Sequence, residues 1–278
     1  MLRQRIITAL VLVAVMLGAL AADSAWPFAL LTLLLIAAAG WEWARLNQAG
    51  AGLALAFGGA LALAGGATLS GPLKDHAPPA LWWAAAALWL GLGAVALRSG
   101  PTAWPQLPRA VRWAVGIVAL WSAWLALTHA HVIGVNFMLS LLCLVWMADI
   151  AAYFGGRAFG RRKLAPSISP GKSWEGVWSG LAGVLVLAGI WAFVEAGGGA
   201  DSTSLYRALF LQLGLIAGAA ALLALAGMSV VGDLVESLVK RAVGAKDSSG
   251  LLPGHGGVLD RIDALLPVFP LALAFVTL

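Results

Sequence analysis

Apolar runs long enough to cross a bilayer follow one another along the chain, separated by short polar connectors. They lie at about 6–22, 27–46, 52–70, 80–97, 111–128, 132–153, 177–194, 205–231 and 259–278. A hydrocarbon core about 30 Å thick takes about 20 apolar residues in helical conformation. The pattern therefore predicts an all-α, polytopic integral membrane protein with about nine transmembrane helices. The third run is rich in Gly and Ala, with Phe57 as its only aromatic residue, and suits close helix contact. The first run follows Arg3 and Arg5 and ends in Ala-Leu-Ala-Ala before Asp23, as cleavable secretory signals also do. With eight further runs to insert, a retained signal anchor is the simpler account.

Composition excludes a water-soluble fold. Of 278 residues, 62% are apolar and 10% charged, and the mean hydropathy is +0.93; soluble domains carry roughly 25% charged residues. The connectors leave no room for an extramembrane domain. The single cysteine, Cys143, lies within an apolar run, so neither an internal disulfide nor a Cys-rich metal site is available.

The net charge of +5 matters through its distribution. With the amino terminus in the cytoplasm, alternation places Arg3, Arg5, Arg45, Arg98, Arg109, Arg112, Arg157, Arg161, Arg162, Lys163, Lys172, Lys240, Arg241, Lys246 and Arg261 inside. Only Lys74 and Arg207 fall outside. Short loops rich in Lys and Arg stay cytoplasmic, so the orientation and the number of runs support each other. The 14 tryptophans include Trp26, Trp41, Trp43, Trp82, Trp83, Trp104 and Trp174 near run ends, the positions of an interfacial aromatic belt.

The two halves differ in chemistry. Residues 1–145 carry sparse polar groups and read as a helical scaffold, whereas 146–278, with cytoplasmic loops 154–176 and 232–259, reads as the catalytic region. Asp149, Glu175, Asp233, Glu236, Asp247, Asp260 and Asp263 lie in or beside cytoplasmic span ends. Ionisable groups near hydrocarbon are costly and are retained mainly for function; charges solvated by headgroups are the bland alternative.

The first loop contains Gly-Lys-Ser at 171–173, but a phosphate-binding loop needs glycine where this chain has Pro166, so a Walker-type site is rejected. What remains is a flexible basic loop. Its Arg157, Arg161, Arg162, Lys163 and Lys172 can hold phosphates, and Ser173 can add a hydroxyl or a weak helix cap. Attraction to anionic lipid explains the same charges.

If the eighth helix continues to Val243, then Asp233, Glu236, Ser237, Lys240 and Arg241 share one face. That stripe leads into Pro253-Gly254-His255-Gly256-Gly257, a loop able to bend tightly, and then into Asp260 and Asp263, three residues apart on the last helix. Carboxylates gathered in this way repel one another unless a cation sits among them. Oxygen ligands suit a hard ion such as Mg2+, which usually binds through one or two carboxylates and substrate phosphates. His76, His129, His131 and His255 are too dispersed for zinc, and His255 is better placed as a phosphate donor or loop-shaping residue. Magnesium carboxylates beside several Lys and Arg residues are the equipment of phosphoryl or nucleotidyl transfer by direct displacement.

From Ser237 to Asp263 the pattern S-x-x-K-R-x4-K-D followed by P-G-H-G-G-x-x-D-R-x-D spans 27 residues. It resembles the signature of the phosphatidate cytidylyltransferase (CDP-diacylglycerol synthase) family. Asp149, Tyr153, Gly155-Gly156-Arg157 and the stretch from Ser169 to Gly176 resemble a second block of that family, although many relatives carry lysine at the position of Gly171. Before Asp149 the resemblance is topological only.

The resemblance implies transfer of a cytidylyl group from CTP to phosphatidic acid, giving CDP-diacylglycerol and diphosphate. It implies Asp233, Asp260 and Asp263 as holders of Mg2+, with a monovalent cation such as K+ alongside. Lys240, Arg241 and Lys246 would then face phosphates with Ser237 and His255 nearby, while Arg157, Ser169 and Lys172 would grip nucleotide or headgroup.

A CTP-dependent lipid or polyprenol kinase uses the same equipment. A transporter also places charges in spans, but the acids here cluster at one surface and no inverted repeat is evident. Membrane lipid is an expected partner and nucleic acid is not; Gly- and Ala-rich faces fit a homodimer. The composition and compact loops fit a bacterial inner membrane, with the site facing the cytoplasm.

Overall fold

The computed structural model describes residues 2–22, 24–74 and 76–277; the side chains of residues 2–5, 9, 96 and 97, including Arg3 and Arg5, lie outside the description, as does Asp23. The chain forms α1 (Leu2–Leu20), α2 (Trp26–Leu46), α3 (Ala51–Ser70), α4 (Pro79–Ser99), α5 (Arg109–Ile133) and α6 (Val135–Phe159). A hairpin of β1 (Lys163–Ala165) and β2 (Ser169–Ser173) follows, then α7 (Trp174–Glu195), α8 (Leu205–Ala242), α9 (Leu259–Ile262) and α10 (Leu265–Val276). Among the described residues six helices, α2, α3 and α5–α8, are long and apolar enough to cross a membrane. The protein is thus a helical, multi-pass membrane protein, and every expected apolar run falls on helix.

Two expected spans have a different shape. The run at 259–278 divides into the four-residue α9 and the 12-residue α10. Pro267 offers no N–H to the Asp263 carbonyl, and Asp263 Oδ1 accepts the Ala264 N–H at 2.8 Å, so the ladder breaks there. The broken helix is the hub of the bundle: Leu266–Ala274 are all buried, packed on α4, α5 and α8. Helix α8 extends to Ala242, well past the apolar run, and Gly214 breaks its other end at φ 77° and ψ 174°, a left-handed conformation that glycine adopts freely.

Small residues set the helix contacts. In the most extensive of them, a Cβ at Gly176 or Gly180 of α7 would lie 2.8 Å from the carbonyl of Ala152 or Ala148 on α6. Gly58 of the Gly-rich α3 similarly lets that helix approach the Ala37 carbonyl of α2, where a Cβ would lie at 2.7 Å.

The tryptophan belt is only partly present. Trp26, Trp83 and Trp174 are exposed, but Trp43, Trp82 and Trp104 are buried. The physical reason is a partner for the indole N–H: Trp43 donates to the Arg112 carbonyl at 2.9 Å, and Trp104 to Asn47 Oδ1 at 2.9 Å. Gly116 makes room for Trp43, since a Cβ there would lie 2.1 Å from its Nε1.

Candidate functional site

The first wall of the site follows from the α6–α7 contact. Between these helices the expected flexible loop is an ordered hairpin. Pro166 opens a turn closed by Ile168 N–H on the Ala165 carbonyl at 3.1 Å, and the apolar Ile168 is buried beneath it. Ser173 caps α7 by accepting the Gly176 N–H at 3.2 Å, while Glu175 accepts the N–H groups of Arg161 and Arg162. These bonds fix β2, and β2 aims Lys172 at α8, where its Nζ lies 2.6 Å from Asp233 Oδ2.

Asp233 also accepts the Ser237 hydroxyl at 3.1 Å, one turn along the expected polar stripe. Asp149 of α6 is within electrostatic reach of both Lys172 and Asp233. Asp263 in turn is within reach of Asp233, Lys172 and Lys240, and Glu236 is within reach of Asp263. Four carboxylates from α6, α8 and the α9–α10 junction are thus linked pairwise by electrostatic interaction, and the ammonium groups of Lys172 and Lys240 offset part of their charge. Beside them opens a cavity of about 450 Å³. Arg157, Ser169, Lys172, Asp149 and Asp233 give it a polar floor; Tyr153, Val177 and Val230 give it an apolar wall.

The second wall is the glycine loop. Lys240 pairs with the buried Glu236 and donates to Asp260 Oδ1 at 2.7 Å. Asp260 further accepts Gly257 N–H at 2.7 Å, Ser248 N–H at 2.9 Å and the Ser248 hydroxyl at 2.9 Å. The loop can wrap this carboxylate because Gly256 sits at φ +83°, where a Cβ would lie 2.6 Å from Asp260 Oδ2. Arg261 clasps the His255 carbonyl through Nε at 3.0 Å, and the His255 N–H closes on the Leu252 carbonyl at 2.8 Å. A second cavity of about 530 Å³ opens on the outer side of this loop, lined by Lys246, Asp247, His255 and Arg261.

The expected residues therefore divide. Asp233, Lys172, Arg157 and Ser169 line the first cavity, with Ser237 bonded to Asp233 and Asp263 within electrostatic reach of it; Lys246 and His255 line the second. Asp260, expected beside Asp233 and Asp263 as a metal ligand, instead has its lone pairs occupied by the loop and Lys240. Among the described residues, no three His, Cys, Asp or Glu side chains converge as a ligand set. Arg241, expected to face phosphate, spends two donors on the carbonyls of Ile168 and Ala245, both at 3.3 Å, and ties α8 to the hairpin.

One residue of the site escaped the sequence reading. Glu42, in the presumed scaffold half, is fully buried and accepts hydrogen bonds from the glycine loop. Its signal was an acid inside an apolar run, between Trp41 and Trp43.

A model described as "Cytidylyltransferase family" matches residues 3–278. A phosphatidate cytidylyltransferase of Pseudomonas aeruginosa is 41% identical over 285 residues, covering 99% of this chain and 96% of the relative. One of Haemophilus influenzae is 48% identical over 143 residues, 51% of this chain and 46% of the relative. Phosphatidate cytidylyltransferase 5, chloroplastic, of Arabidopsis thaliana is 36% identical over 191 residues, 68% of this chain and 39% of the relative.

Proposed function

The chain belongs to the cytidylyltransferase family, and from that premise we propose that it transfers CMP from CTP to phosphatidic acid, releasing diphosphate and forming CDP-diacylglycerol. The observation that carries the reading is the first cavity, where an acidic floor and the cations Arg157 and Lys172 meet an apolar wall. A water-borne triphosphate and a membrane-held phosphate need such a two-natured site.

The donor chemistry fits Mg2+. The acids here offer only oxygen donors to a cation, and the buried Glu236 carboxylate is paired with the Lys240 ammonium. Asp233 and Asp263 would hold the ion, with Asp260 completing the set once Lys240 turns from it towards phosphate. A K+ ion alongside is part of the same proposal. When bound, Mg2+ supplies charge neutralisation for the triphosphate and the departing diphosphate.

The rest is the work of side chains. A lipid phosphate oxygen is already anionic, so the attack on the α-phosphorus needs no general base. The bond between that phosphorus and the oxygen bridging to the β-phosphate breaks, and the electron pair leaves with diphosphate. Lys172 and Arg157, with the Ser169 hydroxyl, would orient the reacting phosphates, and Lys240 would stabilise charge on the leaving group. Lys246 and His255, on the second cavity, would receive the distal phosphates.

We place this chemistry at the cytoplasmic face of a bacterial inner membrane. The basic residues gathered at the site end of the bundle and the bacterial relatives support that side. A homodimer through Gly- and Ala-rich faces is compatible with the fold. The test is to identify both products formed from labelled CTP and phosphatidic acid. Cytidine label in lipid with equimolar diphosphate is expected; γ-phosphate in lipid with CDP would replace this reading by a lipid kinase.

A further inference from the structure

We propose that Glu42 is a positioning residue for the reaction: it fixes the loop from Ser248 to Leu259 against α2 and so sets the place of Asp260 and Lys240. This rests on the transferase reading for its consequence on turnover, but not for its structural content.

Glu42 stands one turn before the end of α2 and has no exposed surface. A buried carboxylate is tolerated when hydrogen-bond donors replace water, and here every donor comes from one distant segment. Oε1 accepts the Ser249 hydroxyl and, at 3.0 Å, the Val258 N–H; Oε2 accepts the Leu259 N–H at 2.7 Å and, at 3.2 Å, shares the single Ser248 hydroxyl proton with Asp260. More than 200 residues of chain separate the partners, so none of these bonds is a by-product of local structure.

The contact is built from both sides. A Cβ on Gly257 would lie 2.3 Å from Glu42 Oε1 and 2.0 Å from Ser248 Oγ, so the loop reaches the carboxylate only because that residue is glycine. Ser248 is the link onward: its hydroxyl lies against Glu42, while its N–H and the same hydroxyl reach Asp260. Asp260 then holds Lys240 at 2.7 Å. Glu42 itself is not among the residues lining either cavity. Its influence on phosphates would pass through the loop.

Glu42→Gln keeps the size but turns one oxygen into an N–H2 group that cannot accept from backbone or hydroxyl donors. The prediction has two readouts on full-length protein in nanodiscs. Amide hydrogen exchange should rise at least about tenfold across 248–260 while α2, α5 and α10 keep wild-type protection. Turnover of CTP and phosphatidic acid should fall about 10- to 100-fold, the range for groups that orient a site from behind, with both KM values within about threefold. Ser249→Ala, which removes one of the four donors, should give the same pattern more weakly, and it serves if Glu42→Gln fails to fold.

Wild-type loop exchange and turnover in both variants would overturn the proposal, as would exchange that rises equally through the bundle. If wild type forms no CDP-diacylglycerol, the transferase reading fails, yet the exchange data still decide whether Glu42 orders the loop.

Discussion

Two carboxylate regions lie within one end of this bundle, and they are satisfied in opposite ways. Around the glycine loop, Glu42 and Asp260 are met by backbone N–H groups, serine hydroxyls and a single ammonium. At and behind the first cavity, Asp149, Asp233, Glu236 and Asp263 interact electrostatically, and the long side chains of Lys172 and Lys240 are their main counter-charge. Fixed donors consume lone pairs and hold a shape. Repelling carboxylates with long, movable partners can exchange an ammonium for another cation. The difference teaches that an acid near hydrocarbon is not by itself a ligand, and that its donors tell which task it has.

Removing a floor carboxylate should break the comparison hardest. Asp263→Asn keeps size and should lower CMP transfer about 100- to 1000-fold, the scale of losing one preorganised electrostatic group, while leaving the detergent melting temperature within a few degrees. Transfer near the wild-type level would move the cation elsewhere. Asp260→Asn should also stop Mg2+-dependent turnover, but unlike the floor variant it should loosen the loop, read as faster amide exchange at 248–260. If its exchange matches wild type, Asp260 does not hold the glycine loop.

The smallest effect belongs to the far end of the bundle, where Asp201 serves as a cap. Asp201 accepts the N–H groups of Val135 at 2.6 Å and Asn136 at 2.9 Å, ahead of α6. Partial burial raises its pKa, but those N–H bonds outweigh it and hold the group below its ordinary 3.8. Its contribution is therefore complete above that value and is lost as pH falls below it. Asp201→Ala should cost about 1 kcal/mol near neutral pH, the usual worth of a helix cap, with transfer rates unchanged; a change in rate would show the two ends to be coupled.

Much of this was legible in sequence because its causes are local. Apolar runs locate the helices, and a spacing of three, four and seven residues puts Asp233, Glu236, Ser237 and Lys240 on one stripe of α8. The signature from Ser237 to Asp263 identified the family. What escaped depends on distant partners. Nothing local to Glu42 announces Ser248 and Leu259, and Trp43 reads as belt until Gly116 and the Arg112 carbonyl are found beside it. The hairpin was hidden because its strands have three and five residues, too few for alternation to register. The two aspartates three residues apart, Asp260 and Asp263, were expected to act together. Both reach the α8 stripe, Asp260 through Lys240 at 2.7 Å, but the hold of the glycine loop on Asp260 is a tie that spacing alone does not announce.

The most direct test of the account is a Mg2+ titration of CMP transfer from labelled CTP to phosphatidic acid, comparing purified wild type with Asp233→Asn. The account predicts Mg2+-dependent label in the lipid phase with equimolar diphosphate for wild type. For the folded variant it predicts loss of that activity, or a sharply raised Mg2+ requirement. Identical titration curves would contradict it, because the acidic floor could not then be where cation and phosphates meet.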